Sequence, residues 1–195
     1  EVHRWTGDWL GLIEVVESAI GVADQVGDVR LLARAATGLT RGALWQSPRH
    51  GEQHDVVVDA LRRALAGLPD DDSELRCRAL LALSTELYYV VTPQEREALA
   101  DAGLEMARRL DDPELLVQAC EVWSVGAWRA ATAARRVEVA EEGVRLASEL
   151  GHERSYVTCL TLLAVALGER GERARQREVL ALAFPEARRL HLPYA

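Results

Sequence analysis

Apolar residues recur along the chain at steps of three and four, the spacing of one face of an α-helix, and the pattern repeats on a longer beat. Four segments align: "DVRLLARAATGLT" from Asp28, "DSELRCRALLALS" from Asp72, "DPELLVQACEVWS" from Asp112 and "HERSYVTCLTLLA" from His152, starting 44, 40 and 40 residues apart. Seven residues into each stands a small residue: Ala35, Ala79, Ala119 and Cys159. One helical turn later stands a large one: Leu39, Leu83, Trp123 and Leu163. Between these segments a second pattern runs from Gly7, Gly51, Val91, Ala131 and Gly171. Its sixteenth following position is always small (Ala23, Gly67, Ala107, Ala147, Ala187), and its thirteenth is mostly large (Ile20, Ala64, Leu104, Val144, Phe184). The ninth holds Val16, Ala60, Ala100, Ala140 and Leu180. Small residues at a fixed place let neighbouring helices approach closely, and large ones fill the grooves between ridges.

Start and stop signals agree with helices. Thr92-Pro93-Gln94-Glu95 carries an N-cap hydroxyl, a proline at the first helical position and a glutamate three residues past the cap. Asp112-Pro113 repeats the acid-then-proline start, and Gly27 and Gly151 stand where C-terminal glycines belong. Strand signals are absent, since clusters such as Val56-Val57-Val58 sit inside helical periodicity. The expectation is nine helices near 7–27, 28–46, 51–68, 72–91, 93–110, 112–130, 132–150, 152–169 and 171–190, with Pro185 kinking or breaking the last. At 1.5 Å per residue, helices of about 18 to 20 residues are roughly 27 to 30 Å long. Antiparallel pairs stacked in register predict an all-α fold, a right-handed α-solenoid with about forty residues per unit.

Composition narrows the classes. The 195 residues suffice for one continuous stack, and 49% hydrophobic with 28% charged residues is an ordinary globular balance. No apolar run approaches a membrane span and nothing near Glu1 resembles a signal peptide, so a cytoplasmic protein without membrane contact is expected. A net charge of -8 opposes the positive field that phosphate backbones require, so this segment is not expected to touch nucleic acid. Every basic residue is Arg, Lys and Asn are missing, and Ile occurs only at 13 and 20, which points to a high-GC bacterial gene. Cys77, Cys120 and Cys159 lie in apolar helical stretches and read as buried reduced thiols.

The columns Ala100-Leu104-Ala107, Ala140-Val144-Ala147 and Leu180-Phe184-Ala187, with "GDW" at Gly7 to Trp9, resemble the second helix and inter-helix turn of the tetratricopeptide repeat. That repeat is 34 residues long and this beat is 40, and no residues match the family's carboxylate clamp. The forty-residue version, with "ARRLDDPELLVQA" and "ASELGHERS", is similar to helical repeats of large actinobacterial ATP-binding regulators of the LuxR and SARP-like types. The resemblance implies a single helical-repeat domain over residues 1–195, a piece of a longer array cut at both ends. "HLPYA" then opens a further unit, with Pro193 in the place of Pro113. It also implies a protein or peptide partner, or neighbouring domains of the same polypeptide, and pairing of the exposed ends in a homodimer.

Candidate chemistry is sparse. His50 and His54 are four apart, but Gly51 sits between them at a helix start and a third ligand is missing, so no metal is expected. No nucleophile set, phosphate loop or carboxylate pair is legible, so neither catalysis nor a cofactor is expected. The first helices of such units line the concave face, where Arg30, Arg34, Glu74, Arg78, Glu114, Gln118, Glu121 and Arg154 are the expected groove residues for a polar peptide or protein segment. An alternative is an inducer pocket framed by Tyr88, Tyr89, Trp123 and Trp128. Trp5 and Trp9 are expected to plug the N-terminal end.

Overall fold

The computed structural model describes residues 8–40 and 51–192. Among them are nine α-helices and no strand: α1 (Trp9–Val26), α2 (Val29–Ala36), α3 (Asp55–Gly67), α4 (Glu74–Glu86), α5 (Pro93–Arg109), α6 (Pro113–Gly126), α7 (Ala133–Glu149), α8 (Glu153–Glu169) and α9 (Arg173–Arg189), with a 3₁₀ turn, Ala130–Thr132, before α7.

Local chemistry sets most of the boundaries. The carboxylates of Asp28 and Asp112 accept from backbone amides in the first turns of α2 and α6. Thr92 and Glu95 close a capping box at α5. At α4 the cap is Ser73, one residue inside the expected helix start, and Asp72 instead holds Arg109 at 2.6 Å. Three residues forty apart adopt the same left-handed backbone: Asp111, Gly151 and His191, with φ of 54, 68 and 52°. Only the middle one is glycine, so a helix-to-helix turn enforces the conformation where the residue type does not favour it.

The small and large columns of the sequence are mostly interior. Ala79, Ala119 and Cys159 are buried, as are Leu39, Leu83, Trp123 and Leu163, whereas Ala35 is half-buried. In the odd-numbered helices Ala23, Ala107, Ala147 and Ala187 are buried, and Gly67 is exposed. Each helix packs on its neighbours in sequence, and closer next-but-one contacts join α1 to α3, α2 to α4, α4 to α6 and α6 to α8. Among the described residues, no substantial contact joins helices farther apart in the chain.

Several expectations are corrected. The even-numbered helices are shorter than the 18 to 20 residues expected, with α2 spanning 8, α4 13 and α6 14. The expected continuation of α2 to residue 46 falls, from residue 41 on, outside the described residues, as do Trp5, His50 and Pro193. Pro185 does not break α9, which runs on to Arg189. Proline removes one hydrogen bond and crowds the carbonyl four residues back. Here Ala181 and Pro185 are both exposed, so that carbonyl can turn to water. Phe184, expected as core, is 49% exposed, and Trp9 is 45% exposed rather than a buried plug.

Candidate functional site

The even-numbered helices bring six of the eight expected groove residues to one cavity. Its volume is about 510 Å³, and its walls include Arg30, Arg34, Glu74, Arg78, Gln118 and Glu121. The floor is apolar, with Leu68, Leu81 and Leu115 buried beneath it and Leu75 and Val122 at its sides. These residues meet because α2, α4 and α6 pack side by side. Residues four apart then share one face of each helix, as Arg30 and Arg34 do on α2 and Glu74 and Arg78 on α4. The other two fall outside the cavity: Glu114 is exposed and reaches His152 on α8 at 4.0 Å, and Arg154 lies in the first turn of α8.

Charge is unevenly compensated along the walls. At the centre, Arg78 is held by Glu74 at 2.8 Å and donates to the Gln118 side chain, tying α4 to α6. At the α2 end, Arg30 and Arg34 form no ion pair among the described residues. At the α6 end, Glu121 is half-buried with the Ser155 hydroxyl as its partner, and desolvation pushes its carboxyl up to about 7, only partly opposed by that hydrogen bond. No cation contributes to its titration.

No known protein family matches the chain, and no curated protein is significantly similar to it. The groove has therefore to be read from its own chemistry.

The four aromatic residues of the alternative reading do not line this cavity. Trp123 is fully buried and donates its indole N–H to Asp101 at 2.7 Å, with Arg135 stacked 4.7 Å from the ring centroid. Tyr88 and Tyr89 meet edge to face at 4.9 Å. Trp128 donates to Glu169 at 2.8 Å beneath Arg136. A second cavity of about 410 Å³ lies between the end of α7, the start of α8 and α9, and none of the four lines it either.

Sequence reasoning missed a column of buried polar residues. Arg96, 4% exposed, donates from Nε to the Gly126 carbonyl and from its two terminal nitrogens to Tyr88 and Trp128 carbonyls, each at 2.8 Å. It thereby joins the C-terminal ends of α4 and α6, the two helices that carry the groove's central pair. Forty residues on, buried Arg136 pairs with Glu169 and lies over Trp128, as Arg96 lies over Tyr88. Forty further, Gln176 donates to the Ala164 carbonyl. Position five of the odd-helix register holds Leu12, Val56, Arg96, Arg136 and Gln176, and the change from apolar to polar midway was the available signal.

His54 finds a partner of another kind than a metal. Its Nδ1 lies 2.9 Å from Glu86, whose carboxylate is 1% exposed and whose second oxygen has no partner. The three cysteines are buried and unpaired, and burial pushes the Cys77 thiol up to about 12 and raises those of Cys120 and Cys159 well above their ordinary value. Thiols so raised are poor nucleophiles at neutral pH. No helix among the described residues is long and apolar enough to cross a membrane.

Proposed function

We propose that the chain is a non-enzymatic helical-repeat binding module, a tetratricopeptide-like α-solenoid of the kind found in large bacterial transcription regulators, and that it holds a peptide segment of a protein partner or of a neighbouring domain in the groove across α2, α4 and α6. The observation that carries this reading is the convergence of six polar side chains from three helices on one cavity over an apolar floor. A few placed polar groups over apolar walls are the general form of a ligand site.

The contact pattern supports the solenoid. Helices touch only their next and next-but-one neighbours, as expected where each unit contacts only the adjacent ones. In a curved two-layer stack, next-but-one helices come closest on the inside of the bend. Such contacts recur through α2, α4, α6 and α8, whereas α1 and α3 are the odd-numbered pair that meets comparably. The groove would then lie on the concave side.

The test is selection of peptides from a random library on the intact chain, with counter-selection on Arg34→Glu/Glu121→Arg, after unfolding curves establish that the variant is folded. Enriched peptides that bind the chain and lose at least about tenfold on the variant are expected, an effect of about 1.4 kcal/mol. Enriched peptides that bind both proteins equally would move the interface elsewhere.

A second reading, a small-molecule inducer site, is favoured by the cavity volume, which falls in the range of drug-sized ligand pockets. Thermal shift against a metabolite panel separates the two, because a ligand that binds only the folded state raises the midpoint in proportion to its concentration over Kd.

A further inference from the structure

The groove's unneutralised charges are segregated. Among the described residues, Arg30 and Arg34 stand without ion pairs on α2, one helical turn apart, and both face the cavity. On α4, Arg78 is already engaged by Glu74 and Gln118, so that arginine has no free charge to offer a ligand. On α6, Glu121 meets only a hydroxyl from α8, with buried Cys159 nearby on the same helix. Two cations at one end and a desolvated carboxylate at the other thus flank a middle where Arg78 and Glu74 neutralise each other over an apolar floor.

The separation fixes a length. Packed helices lie about 8 to 10 Å apart, so two interhelical steps separate α2 from α6 by roughly 16 to 20 Å, less the inward reach of the side chains. An extended chain covers about 3.3 to 3.6 Å per residue, so four to six residues, approximately, span that distance.

We propose that the groove takes an extended, amphoteric peptide segment of about four to six residues, with an acidic group held by Arg30 and Arg34 on α2 and a basic group held by Glu121 on α6. The proposal rests on the peptide reading of the groove. A carboxylate removed from water without a counter-charge is an unfavourable arrangement, and a ligand cation supplies what the chain leaves out. Desolvation keeps part of the Glu121 population protonated near neutral pH, and pairing with a cation would expel that proton, so binding releases protons. Asp71 also lies on the cavity wall, beside the start of α4, and forms no ion pair among the described residues, so it is the competing acid to be tested.

The experiment is isothermal titration of the intact chain at pH 7 with capped synthetic hexapeptides. One set carries two glutamates at one end and an arginine at the other, in both chain directions, around an alanine and glycine middle; others are all-acidic, all-basic or uncharged at the ends. Free lysine and glutamate form the arm that tests a metabolite source of the same charges. Titrations in two buffers of different ionisation enthalpy give the protons released. At least one amphoteric peptide is expected to bind about tenfold or more tighter than either single-sign peptide, with proton release that vanishes in Glu121→Gln and persists in Asp71→Asn. Acidic peptides that bind as tightly as the best amphoteric one would overturn the proposal and leave the groove reading intact. So would loss of the preference in Asp71→Asn but not in Glu121→Gln. Binding by the free amino acids alone would overturn the peptide and favour a metabolite. If no hexapeptide binds, this proposal fails whatever the library selection returns, and the groove reading falls only if that selection fails as well.

Discussion

Replacing Arg96 by alanine is expected to destabilise the fold by about 2 to 4 kcal/mol, although the side chain is a buried cation facing carbonyls and not a carboxylate. The Gly126 carbonyl lies in the interior, and leaving it bare costs about 1 to 3 kcal/mol. The Tyr88 and Trp128 carbonyls are partly buried and can recover water, so each loss belongs near the low end, about 0.5 to 1 kcal/mol. The cation lies 3.8 Å from the Tyr88 ring centroid, a contact worth about 0.5 to 2 kcal/mol. Against these stands the desolvation of the guanidinium, which burial already disfavours enough to lower its pKa and which the variant no longer bears. For a chain of this size, about 2 to 4 °C per kcal/mol converts the net loss into a midpoint drop of roughly 5 to 15 °C. Urea and thermal unfolding followed by far-ultraviolet circular dichroism measure it. Arg96→Met keeps the aliphatic stem and isolates the hydrogen bonds, and Arg96→Lys should recover only part of the loss because an ammonium cannot fork to three acceptors. An alanine variant within about 0.5 kcal/mol of the parent, or a methionine variant as stable as it, would refute the clip.

Three further outcomes follow from the same geometry. Glu121 is raised from its ordinary 4.5 to about 7, so the folded state keeps a proton that the unfolded chain has lost; the associated stability is present at low pH and is lost as pH rises across that window. Unfolding from pH 4.5 to 8 should therefore show the parent losing stability relative to Glu121→Gln, by an amount on the order of 2 kcal/mol, and parallel curves would count against the desolvated carboxylate. His54 is raised above its ordinary 6.5 chiefly by its hydrogen bond to Glu86, so the pair's contribution is full below that value and fades as pH rises through the folded one. An NMR titration of His54 should move downward in Glu86→Gln, and an unchanged midpoint would sever the pair. At Gly143 a methyl group would meet the Cys159 sulfur at 2.6 Å and the Cys120 β-carbon at 3.1 Å, so Gly143→Ala should cost about 1 to 3 kcal/mol. Adding Cys159→Ala should recover part of it, a coupling that equilibrium unfolding of the double variant reads directly.

The helices were legible because both signals that specify them are local in sequence. The column of Leu39, Leu83, Trp123 and Leu163 is buried throughout, and the capping box at Thr92 forms as its residue types require. The ends of α2, α4 and α6 were not legible, because apolar periodicity runs past them, whereas α8 ends at Glu169 as expected. In "LSTELYYVV" nothing local stops α4 at Glu86, and in the structure the Tyr88 carbonyl is instead claimed by Arg96 from the next helix. A contact between residues on different helices leaves no trace in one helix's own pattern. Burial of Arg96, Arg136 and Glu86 ran against the strong preference of charged residues for water, so composition alone pointed away from them. The groove was the more accessible part, since residues on one face of one helix follow from spacing. Glu114 and Arg154 fell outside it: Glu114 lies by His152, and no residue of α8 lines the cavity.

The odd-numbered and the even-numbered helices are held to one another by different means, and this bears on where binding resides. Along the odd-numbered helices, ion pairs join next-but-one neighbours: Asp24 to Arg63 between α1 and α3, Asp101 to Arg135 and Glu142 to Arg108 between α5 and α7, and Glu141 to Arg175 between α7 and α9. Each is partly exposed and contributes little stability alone. Along the even-numbered helices, small buried residues allow direct contact, so polar side chains on the free face are not needed to close the stack. On α4, Arg76 and Arg78 are nonetheless engaged, by Asp70 and backbone carbonyls in one case and by Glu74 and Gln118 in the other. Among the described residues Arg30 and Arg34 are not, and they face a cavity whose opposite wall holds a carboxylate with no cation paired to it. Charges that the fold does not need for its own cohesion, gathered around one apolar-floored cavity, are what a site for a charged ligand requires.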